Sequence, residues 1–235
     1  TNYWTSTTAS FYTDKAFMVS FANAAIAVDN TLNTAHFMAV RDPVTGTTLV
    51  PKSGQIISYH TRDDGALQKG VAWPAPRFSD QGDGSVIDLL TGLTWMKNAK
   101  CWGISMSWTD ALNKIADLNN DLTNKNCSVA PVYLGSKSDW RLPSRSELES
   151  LLDMGSNTTL LPPAIPPVMP ALPLAHPFSN VTPVDETWPH TDDAYWSSST
   201  AQDAQNGWTI QFSMGEIRSE NKTSSYHVWP VRGGK

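Results

Sequence analysis

Few residues in this chain have the type and spacing that chemistry needs. His190, Asp192 and Asp193 could offer an imidazole and two carboxylates to a divalent ion. One histidine and two acids on a loop are more often solvated than ligating, so no metal is expected there. Asp80, Asp83 and Asp88 resemble a calcium loop at a glance. They lack the alternate-position carboxylates and closing glutamate of an EF-hand, and a hairpin turn is the better reading. Glu147 and Glu149 are two apart on what reads as a helix, and residues at that spacing do not face each other. A nucleophile elbow, a paired-histidine zinc motif and a phosphate-binding loop are all missing. The expectation is a non-enzymatic chain without a cofactor.

What the chemistry leaves is binding. Tyr and Trp combine large apolar area with a polar tip, which suits both a core and a contact surface. Trp188, beside Pro189, reads as an exposed stacking platform. With His190, Asp192, Asp193 and Tyr195 it makes the expected ligand-contact set. Trp196, Trp208 and Trp229 read as core. In Asp139-Trp140-Arg141, the arginine could hold a carboxylate or sulphate. The better reading has Trp140 in the core and Arg141 pairing with a buried acid at a strand–helix corner.

These residues sit in a chain of 235, with 40% apolar residues, 17% charged residues and a formal net charge of −5. Lys and Arg are scattered, without the basic stripe of a nucleic-acid binder. No apolar run approaches the roughly 20 residues of a membrane span. Ten tryptophans amid Ser, Thr, Asn and Gly fit an extracellular binding protein, though loop-rich folds share that composition. Cys101 and Cys127 are too far apart for a redox or zinc pair. They flank one expected helix, which points to a structural disulfide worth roughly 3–4 kcal/mol; two separate buried thiols are the alternative.

The elements follow from pattern. Arg77 to Asp88 reads as strand, turn, strand around Gly82-Asp83-Gly84, and Leu93 to Met96 as a further strand. Ser107 and Asp110 form a capping box before Trp108, Ala111, Leu112, Ile115 and Leu118 at helical spacing. Ser144 and Glu147 form another, opening a helix of nine or ten residues with Leu148, Leu151 and Leu152 buried. Residues 155–194 carry seven prolines between Pro162 and Pro177 and read as one long, stiff loop.

The chain also repeats itself. Tyr3 and Trp4 match Tyr195 and Trp196; Phe17, Val19 and Phe21 match Trp208, Ile210 and Phe212; Val40 and Arg41 match Val231 and Arg232. One residue shifts between the first pair and Phe21/Phe212. Each copy reads as two or three short antiparallel strands, the last being His36–Val40 or Tyr226–Val231.

The segments PRFSDQGDGSVIDLLTGLTWMKNAKC, SDWRLPSRSELESLLD, YWSSST and YHVWPVRGG, in that order, resemble the DUF1566 family. That family includes the C-terminal domain of the Legionella collagen-like adhesin. With the lead-in PKSGQ and DDGALQKGVAWPAPRF, the resemblance spans about residues 51–235. It implies a C-type-lectin-like domain of class α+β, with two helices and a twisted antiparallel sheet. It implies a Cys101–Cys127 disulfide around the first helix, and attachment to sulphated polysaccharide or a host surface. The chain lacks the Glu-Pro-Asn, Gln-Pro-Asp and Trp-Asn-Asp motifs of the calcium-dependent sugar lectins.

The resulting expectation has residues 1–41 as the C-terminal half of a preceding repeat, 42–72 as connector and lead-in, and 73–235 as a complete domain. The function expected is an extracellular or surface-exposed recognition module, binding glycan or another surface polymer through the proline-rich loop. The alternative is a structural subunit of a surface assembly, with 1–41 packed on a neighbouring chain or a cleaved partner half. Self-association, or pairing with a preceding repeat half, belongs with that alternative.

Overall fold

The computed structural model describes residues 1–9, 14–40, 50–120, 137–155, 172–173, 175–181, 194–213 and 215–234. Among them are ten strands and three helices, and the strands pair antiparallel, so the chain is α+β. Two compact units are present. The first comprises the described parts of Thr1–Trp73, Leu152–Leu174 and Phe212–Ile217, the second those of Pro74–Leu151, Ala175–Gln211 and Arg218–Lys235.

In the first unit, β1 (Asn2–Thr8), β2 (Lys15–Ser20) and β3 (Ile26–Asn30) form a meander. Tyr3 stands opposite Val19, Met18 opposite Ala27, and Ile26 opposite Ile217. Within the expected connector, Asp63 caps a helical turn, α1 (Asp64–Leu67). Burial pushes the Asp63 carboxyl up, but the backbone N–H groups of Tyr59, Ala66 and His60 outweigh it and hold the group below its ordinary value. Thr8 donates its backbone N–H to Gln55 Oε1 at 3.1 Å and its hydroxyl to Asp63 at 3.2 Å. The described part of the expected connector is therefore folded onto β1.

In the second unit, β4 (Phe78–Asp80), β5 (Ser85–Asp88) and β6 (Thr94–Met96) form a meander. Gly82 and Gly84 take φ of +73° and +86°, which a side-chain-bearing residue adopts only with strain; Asp80 and Asp83 accept backbone N–H groups in the same turn. Next come α2 (Trp108–Asn120) and α3 (Arg145–Ser150). The Ser107 hydroxyl accepts from Asp110 N. Ala111, Ile115 and Leu118 are buried, while Leu112 is exposed, so the apolar stripe is narrower than its spacing predicts. The Ser144–Glu147 capping box is complete, yet α3 has six residues rather than nine or ten. Leu148, Leu151 and Leu152 are buried as expected. Arg77 grips Asp88 with two hydrogen bonds of 3.1 and 3.0 Å and also donates to the Ser150 carbonyl, tying the first hairpin to the end of α3.

The back half holds β7 (Ala194–Thr200), β8 (Asn206–Gln211), β9 (Glu216–Asn221) and β10 (Val231–Arg232). β8 lies between β7 and β9, and β10 joins β6 in the order β10-β6-β5-β4. The tail expected as one strand over Tyr226–Val231 is only β10, preceded by single bridges from Tyr226 to Met106 and from His227 to Tyr195. The core is aromatic. The Trp229 ring lies 5.6 Å from Trp95, 4.9 Å from Phe178 and 5.4 Å from Tyr195. Phe178 comes from the stretch read as a featureless loop and is buried.

The repeat is a repeat of geometry. Tyr3 faces Val19 and bridges His36; Tyr195 faces Ile210 and bridges His227. Trp4 N donates to the His36 carbonyl at 2.9 Å, and Trp196 N to the His227 carbonyl at 3.0 Å. The Thr5 hydroxyl donates to Phe17 O at 2.8 Å, and the Ser197 hydroxyl to Trp208 O at 2.9 Å. Ala9 N donates to Lys15 O as Ala201 N does to Asn206 O. The one-residue shift thus falls between Ala9 and Lys15.

Candidate functional site

The outer end of β7 is where polar groups gather in the second unit. Ser197 is buried, while Ser198 and Thr200 are exposed. Trp108, opening α2, donates its indole N–H to the Ser197 carbonyl at 2.8 Å. A Cβ at Gly207 would sit 3.2 Å from Trp108 Cδ1 and 3.2 Å from Trp196 Cζ3. Glycine keeps that approach open.

Two cations rest on indole faces here. Lys222 Nζ lies 4.1 Å from the Trp108 ring centre and donates to Thr200 Oγ1 at 3.0 Å and to Ala204 O at 3.1 Å. The Arg145 guanidinium lies 4.4 Å from the Trp208 ring centre, and Arg145 N donates to Ser199 Oγ at 3.1 Å. Cation–ring contacts of this kind hold a long side chain in place without neutralising it. Burial pushes the Arg145 guanidinium down from its ordinary value, and Glu149 opposes that shift. Burial pushes the Glu149 carboxyl up, and Arg145 partly offsets it. Such an arrangement can orient a sulphate or carboxylate on a hydroxyl-bearing polymer.

Tyr195 is fully buried in β7, inside a run of four buried residues, Ala194 to Ser197, rather than at the expected ligand surface. Trp188, His190, Asp192 and Asp193 lie outside the described residues, as does most of 155–194. Cys101 is fully buried, and no free cysteine is found among the described residues; Cys127 lies outside them. Asp88 and Asp80 pair with Arg77 and Lys97, and among the described residues no acid, histidine or cysteine group is arranged to hold a metal.

Arg141 grips Glu147 with bonds of 2.7 and 2.6 Å, and Trp140 is buried; this is the expected corner. Burial pushes Glu147 up, but Arg141 and the Ser144 backbone N–H outweigh it and hold the carboxyl below its ordinary value. Arg145 and Lys222 were not foreseen. They lie far apart in sequence, and each reaches the outer end of β7 separately, Arg145 at Ser199 and Lys222 at Thr200. Among the described residues no helix is long and apolar enough to cross a membrane.

Residues 84–232 match the family model described as the Lcl C-terminal domain, in agreement with the resemblance carried by the sequence motifs. No curated protein matches the chain.

Proposed function

Because the chain belongs to the Lcl C-terminal domain family, an adhesin-related family of surface modules, we propose that it is a non-enzymatic recognition module that binds an anionic surface polysaccharide. The observation that carries this reading is the pair of cations, Arg145 and Lys222, each held on an indole face beside the hydroxyls of β7. A polymer of this kind presents repeated sulphate or carboxylate groups among hydroxyls. Fixed cations meet the first and Ser198, Ser199 and Thr200 the second. The formal net charge of −5 is mild, and a local patch governs attraction at distances near the Debye length of about 8 Å. Trp188, His190, Asp192 and Asp193 remain the proposed contacts from the proline-rich loop. A C-type-lectin-like fold, a secreted location and a Cys101–Cys127 bridge belong to the same proposal.

Binding of the intact chain to immobilised sulphated and desulphated polysaccharides tests it. The expected result is retention on the sulphated form alone, falling steeply with salt, and weakened about tenfold in the double variant Arg145→Ala/Lys222→Ala. Equal retention on both forms, or none, would sink it. The alternative role as an assembly subunit is favoured by a different observation, the apolar face of the first unit.

A further inference from the structure

The first unit exposes residues that its counterpart buries. Phe21 is 64% exposed, Phe37 82%, Met38 64% and Val40 90%. An open hollow of about 340 Å³ is lined by Thr1, Tyr3, Phe21, Ala22 and Met38, and Phe37 and Val40 lie within two residues of Met38 in the chain. Isolated apolar side chains on a surface are ordinary; several exposed in one short segment beside a hollow mark a contact surface.

The equivalent residues of the second copy of the repeat are Phe212, Val228, Trp229 and Val231, with exposures of 1%, 2%, 0% and 0%. Three of these are covered by residues of 74–151. Val231 pairs with Trp95 in β6 and bridges Arg141. Trp229 donates its indole N–H to the Met96 carbonyl at 2.7 Å. Val228 packs with Met106, Ala111 and Ile115 at the start of α2. Among the described residues there is one such strand-and-helix front half, and it is already engaged inside the second unit. No backbone hydrogen bond among the described residues reaches Phe37–Val40.

We propose that the face formed by Phe21, Phe37, Met38 and Val40 is the docking surface for a second front half of the same family, a strand meander followed by an amphipathic helix built like residues 78–120, supplied by polypeptide outside residues 1–235. The occupant is read from the register. The same Tyr–His bridge and the same strand pairing set Phe37, Met38 and Val40 where Val228, Trp229 and Val231 meet their front half. Docking adds backbone pairing at the segment after His36 and fills pockets with alternate side chains, as strand addition does elsewhere. A second copy of this chain does not serve unless it unfolds its own second unit, because its front half is in use. Ala35 stands where the second unit has Tyr226, and Met38 where it has Trp229; the natural occupant therefore carries more bulk at those contacts. This inference is independent of the polysaccharide reading.

The test uses the whole chain with the substitutions A35Y, F37V, M38W and A39P, which make residues 35–40 read as Tyr226–Val231, co-expressed with a tagged polypeptide of residues 74–151 as the probe. The probe is expected to co-purify and to slow amide exchange at residues 36–40 at least tenfold. Exchanging F37V for F37D and adding V40D should abolish both effects while exchange at 226–232 stays unchanged. Three outcomes overturn the proposal: no co-purification, protection confined to 226–232, or a chain that buries 36–40 in a dimer without any probe.

Discussion

Glu149 sets the charge that Arg145 presents. Burial raises its pKa above the ordinary 4.5, so falling pH neutralises it before a solvated glutamate would be neutralised. The guanidinium beside it then loses its acidic neighbour. Polyanion binding should strengthen in mild acid, and Glu149→Gln should strengthen it at neutral pH by roughly threefold, the worth of a modest ion pair. It should also remove that part of the pH dependence, which a binding titration at several pH values would read; an unchanged profile would contradict the coupling. Asp88 plays a structural part. Its fully buried carboxylate takes two bonds from Arg77, one from Leu90 N and one from the Thr91 hydroxyl. Asp88→Asn leaves a buried guanidinium facing a neutral amide and should cost about 3–5 kcal/mol in a denaturant titration. At this scale, the core role of Trp196, Trp208 and Trp229 was legible from strand alternation. Tyr195 was not, because an amphipathic side chain at a loop end fits core and contact equally well. Arg145 and Lys222 had no local signal, since only the tertiary fold brings them to one strand end.

Helices α2 and α3 were legible because capping is local chemistry: Ser107 with Asp110, and Ser144 with Glu147, announce themselves within four residues. Their apolar faces were less so. Leu112 keeps helical spacing yet stays exposed, as spacing locates a face but not its width. The short reach of α3 follows from Leu151, whose N–H turns to the Leu148 and Glu149 carbonyls in a tightened last turn. The prolines of 155–194 correctly ruled out regular structure, but hid that Phe178 enters the aromatic core, a contact no periodicity marks. Ser144→Ala removes the hydroxyl that accepts Glu147 N and should cost about 1 kcal/mol, measured by thermal or denaturant unfolding. Glu147 has a folded pKa below its ordinary 4.5, so its contribution is complete above that value and is lost as pH falls through the lowered one. Glu147→Gln should therefore lower stability at neutral pH and flatten the decline as pH falls below the ordinary 4.5, in unfolding curves taken on acidification.

The whole chain carries one folding pattern twice, with unequal support. Strands β1 and β2 share register, bridges and turn hydrogen bonds with β7 and β8, so backbone pairing alone predicts similar protection. Burial does not. Ile210 and Phe212 are 0% and 1% exposed, whereas Val19 is half-buried and Phe21 is 64% exposed. Apolar burial contributes about 25 cal/mol per Å², so the first copy should open locally at lower free energy than the second. The repeat itself was legible in the aromatic pairs, but this asymmetry was not, because identical residue types say nothing of what covers them. Native-state hydrogen exchange on the intact chain distinguishes the two. The amides of Met18 and Val19 should exchange at least tenfold faster than those of Thr209 and Ile210, whose strand register they share. Equal protection would mean that strand pairing, rather than the covering front half, sets local stability, and would remove the reason for the first unit to seek a partner.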